Sequence, residues 1–188
     1  MPDRLDAATV IRAAAALANE SGLDAVTMTA VADRVGLRTP SLYGHVRDRQ
    51  ALLDQVSLLA LSRLSDRLAD GLAGRSGRDA LERFASINRE TARTEPGSWA
   101  ALHRPVPPEL AAASAGGRIV ALTHAVLLGY ALPGSELVHA VRVLGATVTG
   151  FIELERSGGF AHSTPTPDTS WDRMIDALDA LLTHWPTP

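Results

Sequence analysis

The hydrophobic pattern of the chain is helical from end to end. In the first predicted helix the apolar face consists of Val10, Ile11, Ala14, Leu17 and Ala18. Residues three and four positions apart meet on one side of an α-helix. Similar patterns follow Asp48 and cover roughly residues 78–95, 107–131, 135–157 and 168–184. Since no long apolar–polar alternation is present, we predict an all-α protein.

Capping residues mark the ends of the first two helices. Asp6 is a suitable N-cap for the first helix. Gly22 closes that helix, because glycine tolerates the left-handed backbone found at helix C-termini. Thr27 caps a short second helix, which is predicted to stop at Gly36.

A third, very short helix begins only two residues later. Thr39 is its predicted N-cap and Pro40 its first residue, because the φ of proline is already helical. We expect this helix to end near Val46, and Asp48 to cap a long fourth helix. Two short helices joined through a turn glycine predict a helix-turn-helix at about residues 28–47.

The glycine-rich segment 71–77 is the predicted domain boundary. We expect an N-terminal three-helix domain over residues 1–50 and a connecting helix over residues 51–70. A C-terminal helical bundle is predicted over residues 71–188.

The charge distribution adds a candidate function. The chain of 188 residues carries 18 basic and 21 acidic side chains, so its net charge is −3, and every basic residue is arginine. Residues 34–49 reverse this balance, with Arg34, Arg38, Arg47 and Arg49 against Asp48 alone. Such a local reversal is typical of a DNA contact surface. A solvated helix face without a partner gives the same pattern.

The third helix also offers hydrogen-bonding side chains suited to phosphates and base edges, namely Thr39, Ser41, Tyr43 and His45. Leu42 and Val46, four residues apart, are predicted to face the core. Plain structural roles fit two of these residues equally well: Tyr43 as a core aromatic and His45 as a capping residue at a helix end.

Little in the chain favours catalysis. The absence of cysteine excludes thiolate metal sites and cysteine nucleophiles. His103, His124 and His139 lack the spacing of a metal site, so neither a metal nor a cofactor is predicted. An enzyme would have to use one of these histidines as a base, without a recognisable nucleophile. We therefore predict that the chain is not an enzyme.

Residues 23–53 resemble the DNA-binding domain of TetR (tetracycline-repressor) family transcriptional regulators. The features that carry the resemblance are Thr27 and Thr29, Ala32, Gly36, Leu42-Tyr43, His45 and Ala51-Leu52-Leu53. The resemblance implies that bases and phosphates are contacted by Thr29, Thr39, Pro40, Ser41, Tyr43 and His45. Arg49 stands at the usual lysine position, where a phosphate is held.

The helix-turn-helix also departs from the family pattern. Arg38 replaces a common Ser or Thr, which makes it a candidate new contact to DNA. Gly44 replaces a larger residue, and Val46 stands where phenylalanine is common.

The C-terminal half resembles the family's effector-binding and dimerisation domain, most clearly over residues 145–160. The resemblance implies a dimer interface built from two helices of each subunit. Their apolar stripes are Val141, Leu144, Val148, Phe151 and Ile152 on one helix and Trp171, Met174, Ile175, Leu178, Leu181 and Leu182 on the other. Periodicity alone fits an intramolecular core equally well.

An effector cavity is expected in the same half. Its candidate lining residues are Phe84, Trp99, His103, His124, Leu128 and Tyr130. Ordinary core positions are the alternative for each of them.

We therefore expect a homodimeric, ligand-responsive repressor that binds a pseudo-palindromic double-stranded DNA operator and is released by an apolar or aromatic effector. The alternative is a DNA-binding regulator whose C-terminal domain only dimerises or recruits a protein partner. Cytoplasmic localisation is expected, because no signal peptide is recognisable and the most apolar run, Ile119–Leu132, is too short to span a membrane.

Overall fold

The computed structural model describes residues 6–186, which are helical without any strand. The prediction of an all-α fold is confirmed. Ten α-helices occur in this part of the chain: α1 Ala7–Ser21, α2 Met28–Arg34, α3 Thr39–Leu42, α4 Arg49–Leu72, α5 Gly77–Thr94, α6 Pro96–Leu102, α7 Pro108–Ala112, α8 Gly116–Leu127, α9 Leu137–Arg156 and α10 Pro167–Thr183.

Side-chain caps begin three of the first four helices as predicted. The Asp6 carboxylate accepts a hydrogen bond from the Thr9 backbone N–H at 2.7 Å. The Thr27 hydroxyl oxygen accepts from Ala30 N–H at 3.1 Å, and the Asp48 carboxylate accepts from Ala51 N–H at 2.7 Å. Each cap satisfies a backbone donor that has no partner inside its helix.

Two stretches differ from the predicted pattern. The helix α6 lies where Pro96 and Gly97 were interpreted as a break. The predicted helix over residues 107–131 is interrupted between α7 and α8. Ser114 explains this break, because its hydroxyl donates to the Ala111 carbonyl at 2.7 Å and accepts from Gly116 N–H at 3.1 Å.

The chain forms two compact units. The first unit contains the residues up to Leu64 together with Thr91–Gly116, and the second unit contains Ser65–Glu90 and the residues from Gly117 onward. The divisions thus fall inside α4 and α5 and near the start of α8. The loop between Leu72 and Gly77 lies within the second unit.

Each unit has an apolar core. In the first unit, buried residues of α1, α2, α3 and α4 pack together with Ala101 of α6. In the second unit, Leu144, Val148 and Ile152 of α9 and Ile175 and Leu178 of α10 are buried.

A charged and aromatic clamp adds to the core of the second unit. The Arg89 guanidinium on α5 donates to the Glu155 carboxylate at 2.9 Å and lies 2.7 Å from the Asp168 carboxylate. Its central carbon is 4.6 Å from the centre of the Trp171 ring and 5.8 Å from that of Phe151. The clamp therefore joins α5 to the end of α9 and the start of α10.

Candidate functional site

The turn between α2 and α3 is fixed by a glycine in the left-handed conformation. Gly36 has a φ of +71°, which L side chains rarely adopt. Its N–H donates to the Asp33 carbonyl at 3.2 Å, and Leu37 N–H donates to the Ala32 carbonyl at 2.9 Å. This arrangement ends α2 and sets the direction in which the chain enters α3.

We call residues 38–46 the recognition segment. Arg38 occupies the N-cap position of α3 without a side-chain capping bond, so the prediction that Thr39 is the N-cap is wrong. The helix has only four residues and ends before the predicted limit near Val46. Gly44 and His45 donate to carbonyls three residues back, which tightens the end of the segment into turns.

The inner side of the recognition segment is buried. Leu42 is 0% exposed and Val46 is 8% exposed, and both belong to the core of the first unit. The prediction that they face inward is confirmed. The segment is therefore held by apolar packing, and its polar side chains are left on the opposite side.

The outer side carries the predicted DNA contacts. Exposed residues are Thr29, Arg38, Pro40, Ser41 and Tyr43, whereas Thr39 and His45 are partly buried. Tyr43 is 53% exposed, so it is not a core aromatic. Within residues 6–186, no side-chain hydrogen bond is formed by Thr29, Arg38, Thr39, Ser41, Tyr43 or His45. These groups are available to an external partner.

The arginine cluster is less uniform than its sequence indicates. Arg34 donates two hydrogen bonds, of 2.7 and 2.6 Å, to the Glu20 carboxylate on α1. These bonds lower the pKa of the Glu20 carboxyl below its ordinary value. Arg47 is 2.7 Å from the Asp48 carboxylate, although its side chain remains exposed. Sequence reasoning missed Glu20, because a contact between separate helices leaves no local pattern.

Arg49 has an internal role that its sequence position did not suggest. Its guanidinium donates to the Val26 carbonyl at 2.7 Å and to the Leu23 carbonyl at 3.0 Å. These bonds tie the start of α4 to the turn before α2. The expected phosphate contact therefore competes with an existing structural role.

Two of the predicted effector-pocket residues lie in the first unit. Trp99 on α6 is 1% exposed and belongs to the buried interior. His103 is exposed at the C-terminal end of α6, where its Nδ1 lies 2.9 Å from the Trp99 carbonyl oxygen. This contact is local to α6.

The other four predicted pocket residues lie in the second unit. Phe84 is buried, His124 is partly buried, and Leu128 is 77% exposed. The Tyr130 hydroxyl donates to the Asp179 carboxylate at 2.7 Å. Burial and this hydrogen bond raise the pKa of the Tyr130 phenol above its ordinary value.

A polar cavity of about 460 Å³ also lies in the second unit, and its walls contain none of the six predicted residues. It is lined by Arg78, Glu82, Ser86, Arg89, Trp171, Asp172 and Ile175.

Most of the predicted dimer residues are buried inside the second unit itself. They are Leu144, Val148, Ile152, Trp171, Ile175, Leu178 and Leu182, each at most 5% exposed. A second subunit has no access to these side chains, so for them the prediction is corrected to an intramolecular core. Val141, Phe151 and Met174 are partly buried, and Leu181 is 38% exposed.

The outer face of α9 is more exposed than its composition predicts. Residues Gly134–Arg156 are long and apolar enough to cross a membrane, with a mean hydropathy of 1.4, and 22% of the most apolar window is buried. Sequence inspection singled out Ile119–Leu132 instead. Exposed positions on α9 include Val138, Arg142, Ala146, Gly150 and Leu154.

The described part of the chain has no group of three or more histidine, aspartate or glutamate side chains that could hold a metal ion.

Comparisons with known proteins agree with this architecture. Residues 10–56 match the family described as bacterial regulatory proteins, tetR family, and residues 81–178 match the tetracyclin repressor-like C-terminal domain. An uncharacterized HTH-type transcriptional regulator of Mycobacterium tuberculosis is 30% identical over 162 residues, which are 84% of this chain and 73% of that protein.

Two solved structures have the same fold. TetR from Acinetobacter baumannii in complex with minocycline is 24% identical, with a TM-score of 0.73 over 98% of this chain and 100% of that one. BioQ with its double-stranded DNA operator is 18% identical, with a TM-score of 0.64 over 94% of this chain and 99% of that one.

The matched families and relatives are transcriptional regulators, which confirms the predictions of a DNA-binding function and of a protein that is not an enzyme. The chain belongs to the TetR family of bacterial transcriptional regulators.

Proposed function

We propose that the chain is a ligand-responsive repressor that binds a pseudo-palindromic operator as a homodimer. The observation that carries the proposal is the two-sided recognition segment. Its apolar side is packed into the core, and its polar side has no internal partners. Such a segment is suited to enter a major groove, where its side chains meet base edges and phosphates.

The outer face of α9 supports a second copy of the chain as the dimer partner. Small residues occupy its middle, with Ala146 and Gly150 exposed and Thr149 partly exposed. Small side chains allow two helix backbones to approach closely. This assignment replaces the buried stripe and accounts for an apolar helix that the unit itself leaves largely uncovered.

The charges on this face suit a two-fold axis. Arg142 and Glu153 are exposed and lie on either side of Ala146 and Gly150. If an axis passes between them, Arg142 of each copy faces Glu153 of the other, because a two-fold interface is self-complementary. A subunit interface also makes α9 unavailable as a membrane span, which fits a regulator that acts on DNA in the cytoplasm.

The position of α6 supports coupling between effector and DNA. Gly97 packs so closely on α1 that an added Cβ would lie 2.1 Å from the Ala18 carbonyl carbon. The Asn19 side chain accepts from Ser98 N–H at 2.8 Å, and Arg104 lies 3.3 Å from the Asp54 carboxylate on α4. A displacement of α6 would therefore be transmitted directly to α1 and α4.

A buried hydroxyl supports an effector site in the second unit. The Ser65 Oγ on α4 is buried and has no hydrogen-bond partner among the described residues. A buried polar group normally has such a partner, so this oxygen is suited to accept or donate one bond to an otherwise apolar ligand. We propose an apolar or aromatic effector that carries one matching polar group.

The dimer is tested by sedimentation equilibrium of the full chain. Arg142→Glu places like charges across the proposed axis and should produce monomers, and the double variant Arg142→Glu/Glu153→Arg should restore the dimer. Arg75→Glu reverses an exposed charge in the loop after α4 and serves as the control. Dimers of unchanged strength in Arg142→Glu would contradict this interface.

The operator is tested by in vitro selection of random duplexes on the purified dimer. Enrichment of a pseudo-palindrome supports the proposal, whereas no enrichment contradicts it. The selected duplex then allows a release screen of aromatic compounds, beginning with minocycline. Release by a compound, and its loss in Ser65→Ala with operator binding retained, supports the effector site. Release that is unchanged in Ser65→Ala contradicts it.

A further inference from the structure

We infer that Arg38 reads a guanine in each half-site of the operator and so determines part of the sequence that this chain recognises. The inference rests on the proposed function, because it requires the recognition segment to lie in a major groove. Neither of the matched families nor any relative assigns this residue a base.

The first argument is that the Arg38 guanidinium is free. The neighbouring arginines of the cluster are engaged, Arg34 by Glu20, Arg47 by Asp48 and Arg49 by two backbone carbonyls. Arg38 is exposed and makes no ion pair or hydrogen bond with any described residue. Within the recognition segment and its flanks, it is therefore the cation that can bind DNA without first breaking an internal contact.

The second argument is that its backbone is fixed. Leu37 N–H is bound to the Ala32 carbonyl at 2.9 Å, and the Arg38 carbonyl accepts from Ser41 N–H at 2.8 Å. Leu42, four residues further on, is completely buried. The Cα of Arg38 is thus held on both sides, and only side-chain rotamers remain to be ordered when DNA binds.

The third argument is the location of Arg38 at the start of the recognition segment. It occupies the N-cap of α3, beside exposed Pro40 and Ser41. In helix-turn-helix proteins the first residues of the recognition helix contact base edges, whereas residues further along contact the backbone. A long, unpaired side chain at this place is more suited to bases than one at the end of the segment.

The chemistry of the side chain selects the base. The guanidinium presents parallel N–H donors, and guanine offers two acceptors, O6 and N7, on its major-groove edge. Adenine replaces one of these acceptors with an amino donor, which opposes a guanidinium. The structure therefore points to guanine at one position of each half-site.

The inference is tested by repeating the in vitro selection with three variants of the full chain. The wild type should enrich guanine at one symmetric position in each half-site. Arg38→Ala should lose that preference, by roughly five-fold or more in relative affinity for guanine over the other bases, and keep the rest of the consensus. Arg38→Gln should change the preferred base to adenine, because glutamine pairs with N6 and N7 of adenine.

Arg47→Ala is the matched control, since it removes a neighbouring exposed arginine that is held by Asp48. It should leave the base preference at every position unchanged. If Arg38→Ala retains the wild-type consensus, the inference is wrong while the operator proposal stands. A uniform loss of affinity for all duplexes, with a salt slope flatter by about one unit, would assign Arg38 to a phosphate and overturn the inference. Failure of the wild type to enrich any sequence would overturn both.

Discussion

The recognition segment and the α9–α10 pair both bury apolar side chains, but their opposite faces differ in what they offer to a partner. Behind Leu42 and Val46 the first unit presents hydrogen-bonding groups and a free guanidinium. Behind Leu144, Val148 and Ile152 the second unit presents small residues flanked by Arg142 and Glu153. The difference shows that the outer face, and not the buried stripe, indicates the kind of partner that each unit can bind.

The largest expected effect concerns the clamp that stabilises the second unit. Arg89→Ala removes the guanidinium partner of the mostly buried Glu155 and the cation that lies over Trp171. Breaking a buried ion pair by removing one partner costs about 4 kcal/mol of unfolding free energy. Urea unfolding followed by circular dichroism measures this loss.

Arg173→Ala is the control for the clamp, because Arg173 lies on α10 with its side chain 82% exposed. Its unfolding free energy should stay within about 0.5 kcal/mol of the wild type. A small effect of Arg89→Ala would mean that the apolar stripe holds the second unit without the clamp.

The next effect separates the two sides of the recognition segment. Leu42→Ala empties a fully buried position and should destabilise the protein by about 3 kcal/mol. Tyr43→Ala changes an exposed ring, so stability should change by less than about 0.5 kcal/mol while operator affinity falls. Thermal unfolding and anisotropy on the selected duplex measure the two effects. Equal operator affinity of Tyr43→Ala and the wild type would show that the outer side does not contact DNA there.

A smaller effect is expected at Arg49. Arg49→Ala loses two hydrogen bonds to backbone carbonyls and should lower the unfolding free energy by about 1–2 kcal/mol. If the side chain is purely structural, the salt dependence of operator binding should keep its slope. A slope flatter by about one unit would instead assign Arg49 to a phosphate.

The smallest effect is a dependence on pH at the start of α4. The hydrogen bonds from Ala51 N–H and from Arg47 lower the pKa of the Asp48 carboxyl below its ordinary value of 3.8. Because the folded-state pKa is the lower one, the charge on Asp48 stabilises the fold above that value, and the contribution is lost as the pH falls through the folded-state pKa.

Asp48→Asn retains a capping side chain and removes only the charge. Its thermal midpoint should be slightly below that of the wild type at neutral pH and should approach it in acid. A difference that does not depend on pH would contradict the role of the charge.

The local features of the first unit could be predicted from the sequence. Asp6, Thr27 and Asp48 cap helices through bonds that span three residues, and Gly36 turns the chain where only glycine is comfortable. Such features depend on adjacent residues, so their signals are printed in the local sequence. The same holds for the inward position of Leu42 and Val46.

The features that depend on distant contacts could not be predicted. Periodicity identified the stripes of α9 and α10 without showing that they pack within one unit. The helix α6 was missed because its Pro96-Gly97 start resembles a break, whereas Gly97 is buried against α1. The partners of Arg34, Arg89 and Arg104 lie 14, 66 and 50 residues away, beyond any local pattern.

The central claim is that a dimer presents two recognition segments to one operator. Fluorescence anisotropy of the full chain on the selected duplex, against a scrambled duplex and over a series of salt concentrations, tests it most directly. The account predicts saturation at two subunits per duplex and tighter binding to the selected sequence at every salt concentration. Equal affinity for both duplexes, or saturation at one subunit, would contradict it.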